Sequence, residues 1–184
     1  MAKEKMQSGE AKLSVPYWDI YGSKSYTLLE KHGFSLKFEQ IGMGLKLENK
    51  FNNSGTLKLK RVETKQEARL WSETFENSFG YLIHPSLFDS MPLATNCFVA
   101  YQQDDPVGTG ILHTTGLVTG IHSVGIVPEH RRKGYADEIM KQLLNKAIAG
   151  GSEYATLQAS SMGKGLYLKL GFESQFAIRN YALD

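Results

Sequence analysis

One amphipathic helix constrains what this chain can fold into. Between about 133 and 149, Ala136, Ile139, Met140, Leu143, Leu144, Ala147 and Ile148 recur at helical spacing on one face, Asp137 and Lys141 form an i, i+4 pair, and Gly150-Gly151 ends the run. Such a stripe must bury against a partner, and the flanking segments read as a sheet. Upstream, "TLKLKRV" alternates as a strand, and Thr64 with Glu67 forms a capping box for a helix carrying Ala68, Leu70, Trp71, Thr74, Phe75 and Phe79. The stretch "YLIHPSLFDSMPLATN", broken by Pro85 and Pro92, predicts irregular loop or short helix. "CFVAYQ", a turn at "QDDP", "VGTGILHTT", a turn at Gly116 and "LVTGIHSVGIV" predict an antiparallel meander. After the helix come "EYATLQA" as a buried strand, "GKGLYLKL" as a short helix stopped by Gly171, and "FESQFAIRNYAL" as one or two strands. This order implies an α/β chain of α+β type, with one mixed, mostly antiparallel sheet flanked by helices.

Composition divides the chain into three segments. Residues 1–14 are polar and read as a disordered lead-in. Residues 15–50 read as a small α/β appendage: "SVPYWDIY" as a strand, "SYTLLEKH" as a short helix closed by Gly33, and "FSLKFEQIGMGLKL" as alternating strand. "ENKFNNSG" (48–55) is rich in turn formers and marks a boundary, after which 56–184 form the main domain. An apolar fraction of 41% in 184 residues suffices for a real core, and a soluble globular protein is expected. A net charge of +2 argues against nucleic acid or an anionic membrane as partner. The N-terminal stretch lacks an apolar h-region and no segment reaches the roughly 18 apolar residues of a span, so neither export nor insertion is expected. Cys97, the single cysteine, fits a buried bystander thiol in a reducing cytoplasm.

Two motifs carry chemistry. In "VPEHRRKGYADEIM" (127–140), three cations and Gly134 stand before the helix. The first N–H groups of a helix lack intrahelical partners and its dipole adds partial positive charge, so this turn suits a diphosphate. A capped surface helix with a solvated basic lead-in fits that segment equally. The second motif, "LQASSMGKGLYLKLGF" (157–172), ends a strand at Ala159, turns through serines and glycines, and carries Tyr167 on a short helix.

In this order, about 30 residues apart, the two resemble the GCN5-related N-acetyltransferase (GNAT) family, over roughly residues 56–184. Arg131-Arg132-Lys133-Gly134-Tyr135-Ala136 is similar to its R/Q-x-x-G-x-G/A pyrophosphate loop, and Ala159 to Phe172 to its terminal A-x-x-x-x-x-x-LY-x-x-x-GF element. A bacterial subgroup with "LQAS-x-MG" and a short N-terminal α/β segment is the nearer resemblance. "LEKHGF" (29–34) echoes "YLKLGF" (167–172), as a degenerate second copy of the fold's last third would, with Leu29 where Tyr167 stands. Recurrence of helix, glycine stop and strand gives the same echo.

The resemblance implies the acyl-CoA N-acyltransferase fold and a direct transfer of acetyl from acetyl-CoA to a primary amine through a tetrahedral intermediate, with no metal. The strand His122–Val127 would carry a bulge and splay from Tyr154–Ala159. Acetyl-CoA would lie between them, its pantetheine against Val124, Gly125, Ile126 and Val127, with Ser160 near that arm. Arg131, Arg132, Lys133, Gly134, Tyr135, Ala136 and Asp137 would form the diphosphate loop, mainly through backbone N–H groups from Arg132 to Asp137. Tyr167 is the expected proton donor to the departing thiolate, the Ile126 amide an oxyanion donor, and His122 the general base, with Glu129, His113 and Glu153 behind it. The acceptor would be a small-molecule or peptide amine. The apolar loop at about 80–95 favours a peptide terminus or hydrophobic amine. The segment 15–47 would serve as a lid, a homodimer contact or a sheet extension. A non-catalytic acyl-CoA-binding regulatory module, or an interaction domain using "HRRK" (130–133), are the rival readings; near-neutral charge disfavours the latter.

Overall fold

A computed structural model describes residues 14–183, so the expected lead-in lies, Ser14 apart, outside the described residues. The chain divides into two compact units, Leu45–Leu157 and the pair of segments Met1–Gly44 and Gln158–Asp184. The first cut lies close to the boundary read at 48–55. The second falls inside a strand, where no local signal marks it.

In the unit Leu45–Leu157, β3 (Lys58–Arg61), β4 (Thr95–Gln102), β5 (Asp105–Thr115), β6 (Val118–Ile126) and β7 (Tyr154–Ala159) follow one another across a sheet. All neighbours pair antiparallel except β6 and β7, which are parallel. The meander is therefore present, and the sheet is mixed and mostly antiparallel. The turn before β5 is tighter than "QDDP" suggested, because Asp105 and Pro106 are already strand. A register shift between Ala100 and Tyr101 sits opposite Pro106, which has no N–H to give a regular ladder. Nor is β7 uniformly buried: Ala155, Leu157 and Ala159 are covered, while Tyr154, Thr156 and Gln158 are exposed.

Helix α2 (Lys65–Phe79) starts with the expected capping box, Glu67 N–H donating to Thr64 Oγ1 at 3.2 Å and Thr64 N–H to Glu67 Oε2 at 3.0 Å. Its Trp71 and Phe75 join Cys97 and Val99 in one core cluster, where each large apolar side chain contributes roughly 1.5–3 kcal/mol. Phe79 does not share that burial and is 40% exposed. The Pro-broken stretch holds a 3₁₀ turn, Pro85–Ser90.

Helix α3 (Tyr135–Ala149) buries Ile139, Met140, Leu143, Leu144 and Ala147, and Lys141 pairs with Asp137 at 2.7 Å. It also buries Glu138, whose carboxylate accepts the Leu57 N–H. Asn145 exchanges two hydrogen bonds with the Phe51 backbone (2.8 and 2.9 Å), and Gln142 donates to the Leu57 carbonyl at 3.0 Å. The boundary segment is thus strapped to α3 by one stripe of side chains. Helices α2 and α3 cover opposite faces of the sheet. Gly108 and Gly110 face Ile139 and Leu143, whereas Gly125, paired with Thr109 on the other face, meets Ser78 and Phe79.

The other unit contains β1 (Val15–Asp19), α1 (Thr27–Lys31), β2 (Phe34–Lys46), α4 (Lys164–Lys169) and β8 (Glu173–Leu183). The last strand lies between the first two and pairs antiparallel with both. Of the three roles open to the N-terminal segment, sheet extension is the one these pairings display. Arg179 on β8 zips the three strands, pairing with Asp19 on one side and Glu39 on the other (3.0 Å) and lying over the Tyr26 ring at 4.7 Å. Glycines with φ +82° and +93°, Gly33 and Gly171, follow the two short helices.

Because β1 and β2 supply both neighbours of β8, a chain beginning at residue 47 is expected to lose its cooperative thermal transition by far-UV circular dichroism. A melt like that of the full chain would show that β8 does not depend on them.

Candidate functional site

The end of β6 is irregular. Register moves from Ile111↔His122 to Thr109↔Gly125, so three steps on β6 match two on β5. The extra residue is a β-bulge. Ser123 takes φ +53°, and its carbonyl accepts the Thr109 hydroxyl at 2.8 Å. The ladder to β7 runs from Val118↔Tyr154 to Gly120↔Thr156. Beyond Gly120, β6 has no β7 partner among the described residues, which frees the backbone edge containing Val124, Gly125 and Ile126. His122 stands in mid-strand just before the bulge, and does not begin the strand as its sequence position suggested, because β6 starts at Val118 opposite Thr115. Its imidazole lies over Gly120; although the residue is solvent-exposed, partial desolvation of the ring, with the nearby His113 second, moves its pKa below the ordinary histidine value. The shift favours the neutral imidazole. His113 is already engaged, Nδ1 lying 2.8 Å from Thr95 Oγ1, and Glu129 and Glu153 are exposed.

Past β6 the chain makes a 3₁₀ turn at Pro128–His130 and then Arg131 closes a clamp. Its Nε donates to the Ile126 carbonyl at 3.0 Å and its Nη2 to the Ser78 carbonyl in the last turn of α2 at 2.9 Å. Arg132 (φ +61°) and Gly134 (φ +82°) both turn left-handed, and α3 begins at Tyr135 with no side-chain cap. The first N–H of this turn to find a backbone acceptor is that of Glu138, which donates to Gly134. Those of Arg132 to Asp137 have no backbone partner among the described residues, leaving a row of donors at a helix N-terminus. Side chains here are mostly occupied elsewhere. Arg131 holds carbonyls, Asp137 holds Lys141, and Tyr135 stacks on His130 at 6.2 Å, which in turn pairs with Asp105 at 3.1 Å. Arg132 and Lys133 are exposed and Ala136 is half-buried. Val127 ties the turn to the sheet, its N–H donating to Val107 at 3.0 Å.

Within the other unit, Tyr167 on α4 stands edge-on to Phe172 at 6.0 Å, with its ring over Gly163. Burial raises its pKa above the usual phenol value, so it keeps its proton well into the alkaline range. Ser160 closes the turn into α4, its Oγ accepting the Gly163 N–H at 3.2 Å. Cys97 is buried against Met91, with its thiol pushed up to about 12. No group of three or more His, Cys, Asp or Glu gathers as a metal site among the described residues. Sequence reasoning passed over Ser78 and Thr109, which carry no motif signal, and assigned Phe79 only to the core, although its i+4 spacing from Phe75 was visible.

A mixed sheet with a bulged, partly unpaired strand leading into an N–H-lined loop defines a protein of the N-acetyltransferase fold. Residues 94–174 match the family model for the acetyltransferase (GNAT) domain, so the sequence likeness to that family lies in the stretch from β4 to the start of β8. No curated protein matches the sequence. Among solved structures, a GCN5-related N-acetyltransferase from Kribbella flavida superposes with a TM-score of 0.76 at 17% identity, over 98% of this chain and 71% of its own. One from Sphaerobacter thermophilus gives 0.74 at 19% identity, over 97% and 62%. The ribosomal-protein-S18-alanine N-acetyltransferase from Escherichia coli gives 0.58 at 14% identity, over 69% and 92%. At these identities the likeness is one of fold. No helix among the described residues is long and apolar enough to cross a membrane.

The left-handed Ser123 gives a test of the bulge. Ser123→Val should lower stability by about 1–2 kcal/mol in chemical denaturation, since a β-branched residue resists positive φ, while Ser123→Gly should be neutral or stabilising. Equal loss in both would mean the side chain, not the backbone, matters there.

Proposed function

We propose that this protein is an acetyl-CoA-dependent N-acetyltransferase acting on a primary amine, with 56–184 as the catalytic stretch and a reducing compartment as its setting. The observation that carries the reading is the row of unpartnered N–H groups from Arg132 to Asp137 around left-handed Gly134. Those groups fit a diphosphate without calling on side-chain charge. The stretch of β6 without a β7 partner at Val124, Gly125 and Ile126 suits the pantetheine amides, with the Ile126 carbonyl already held by Arg131 and the Val127 N–H by Val107; Val127 and Ser160 are assigned to the same arm.

In this reading the Ile126 amide donates to the oxyanion that forms as the acceptor nitrogen adds to the thioester carbon. His122, neutral through its depressed pKa, takes the amine proton directly or through water. Tyr167, protonated through its raised pKa, gives a proton to the sulfur as the carbon–sulfur bond breaks. An amide and free CoA thiol result, and charge balances without a metal.

Isothermal titration of acetyl-CoA and CoA tests the cradle. Micromolar binding that vanishes in Gly134→Glu is expected, and no binding by the unaltered chain would end the proposal. Binding without turnover on any amine would point to a regulatory acyl-CoA module. Tyr167→Phe should lower kcat by about 10²- to 10⁴-fold with CoA affinity nearly intact; an unchanged rate removes Tyr167 from the chemistry.

The two shifts set the pH profile. Activity should fall as pH drops through the depressed His122 pKa, below the ordinary histidine range, and as it rises through the raised Tyr167 pKa, above the ordinary phenol range. His122→Gln should remove from the acid limb the part set by the depressed His122 pKa, leaving the part set by protonation of the amine itself, and Tyr167→Phe should erase the alkaline limb, each compared on the same amine.

A further inference from the structure

Four aromatic rings run along the end of α2 and surface beside the bulged strand. Trp71 stacks on Phe75 (5.1 Å), Phe75 on Phe79 (4.5 Å), and Tyr81 stands edge-on to Phe75 (5.1 Å). The inner pair is buried, whereas Phe79 and Tyr81 are 40% and 58% exposed. The outer end is held in place from below. A Cβ at Gly125 would overlap the Phe79 ring and abut Ser78, so only glycine lets this ring lie on the strand. Arg131 fixes the same turn by its bond to the Ser78 carbonyl.

These rings lie on the α2 face of the sheet, and the diphosphate turn opens from α3 on the opposite face. On the reading above, an acyl group carried along β6 would pass Gly125, where the Phe79 ring lies. Charge is sparse on that wall, where the exposed Glu76, three residues before Phe79, is the flanking carboxylate. No Asp, Glu, Lys or Arg occurs from Asn77 to Phe88, nor from Val118 to Val127, and the neighbouring Arg131 is spent on two carbonyls. A polyamine would find the single flanking carboxylate of Glu76 and none within these two stretches, and an acidic acceptor no free cation within them.

Resting on the acetyl-transfer reading above, we propose that Phe79 and Tyr81 form the acceptor wall and select a primary amine bearing an aromatic or bulky apolar group. Ring-on-ring contact supplies affinity. The same apolar surroundings disfavour the ammonium form and raise the share of neutral amine, the form that attacks. This lessens the demand on His122.

The test is CoA-thiol release by the full chain from acetyl-CoA with phenethylamine, spermidine and glucosamine, beside a CoA titration of each variant. The expected result is a kcat/KM for phenethylamine at least tenfold above the other two. Tyr81→Ala and Phe79→Ala should each cut it about tenfold, mostly through KM for the amine, with Phe79→Tyr restoring it. Preference for spermidine or glucosamine, or an equal loss on all three amines in Tyr81→Ala, would overturn the wall while leaving acetyl transfer standing. CoA binding without release from any amine would instead overturn the transfer reading and this inference with it.

Discussion

Two hydrogen bonds from one guanidinium hold the functional end of this molecule together. The Ser78 carbonyl belongs to the last turn of α2, where no intrahelical N–H remains to meet it, and the Ile126 carbonyl closes β6. Arg131 satisfies both with a planar fork, and its charge also suits a helix C-terminus. Helix, strand and following loop are thereby fixed at one point. A lysine could not reproduce that geometry with a single ammonium.

Immediately after the clamp, the backbone offers the kind of donor row that the proposed diphosphate site requires. Arg132 and Gly134 turn left-handed within three residues, and the N–H groups from Arg132 to Asp137 have no backbone partner among the described residues. The exposed Arg132 and Lys133 add field but no fixed contact, which accords with a chain whose net charge is only +2. Asp137, whose charge would repel a phosphate, is drawn down the helix by Lys141. Glu138, one residue on, is buried as a structural acceptor for Leu57.

Much of this was legible along the chain. The 3.6-residue stripe of α3, the Thr64–Glu67 capping box and the alternation of β4 to β6 depend on neighbours a few residues apart, and each element forms where its pattern lies. The motif around Gly134 was equally readable, since a left-handed residue before a helix is a local demand. Less visible were the strand limits around His122 and Pro106. Both depend on register with a partner strand, which periodicity in one strand does not contain.

The sequence by itself determined the kinds of elements, the loop chemistry at Arg131 to Asp137 and the presence of a tyrosine on the last short helix. Tertiary structure alone decided that β8 is built between two N-terminal strands, with Arg179 meeting Glu39 across 140 residues of chain. It also decided that Glu138 is buried and that the Phe79 ring rests on Gly125. The division is physical. Dihedral preference and helix capping act within a turn or two of chain, whereas strand neighbours, buried charges and ring contacts are set by which distant segments exclude water together.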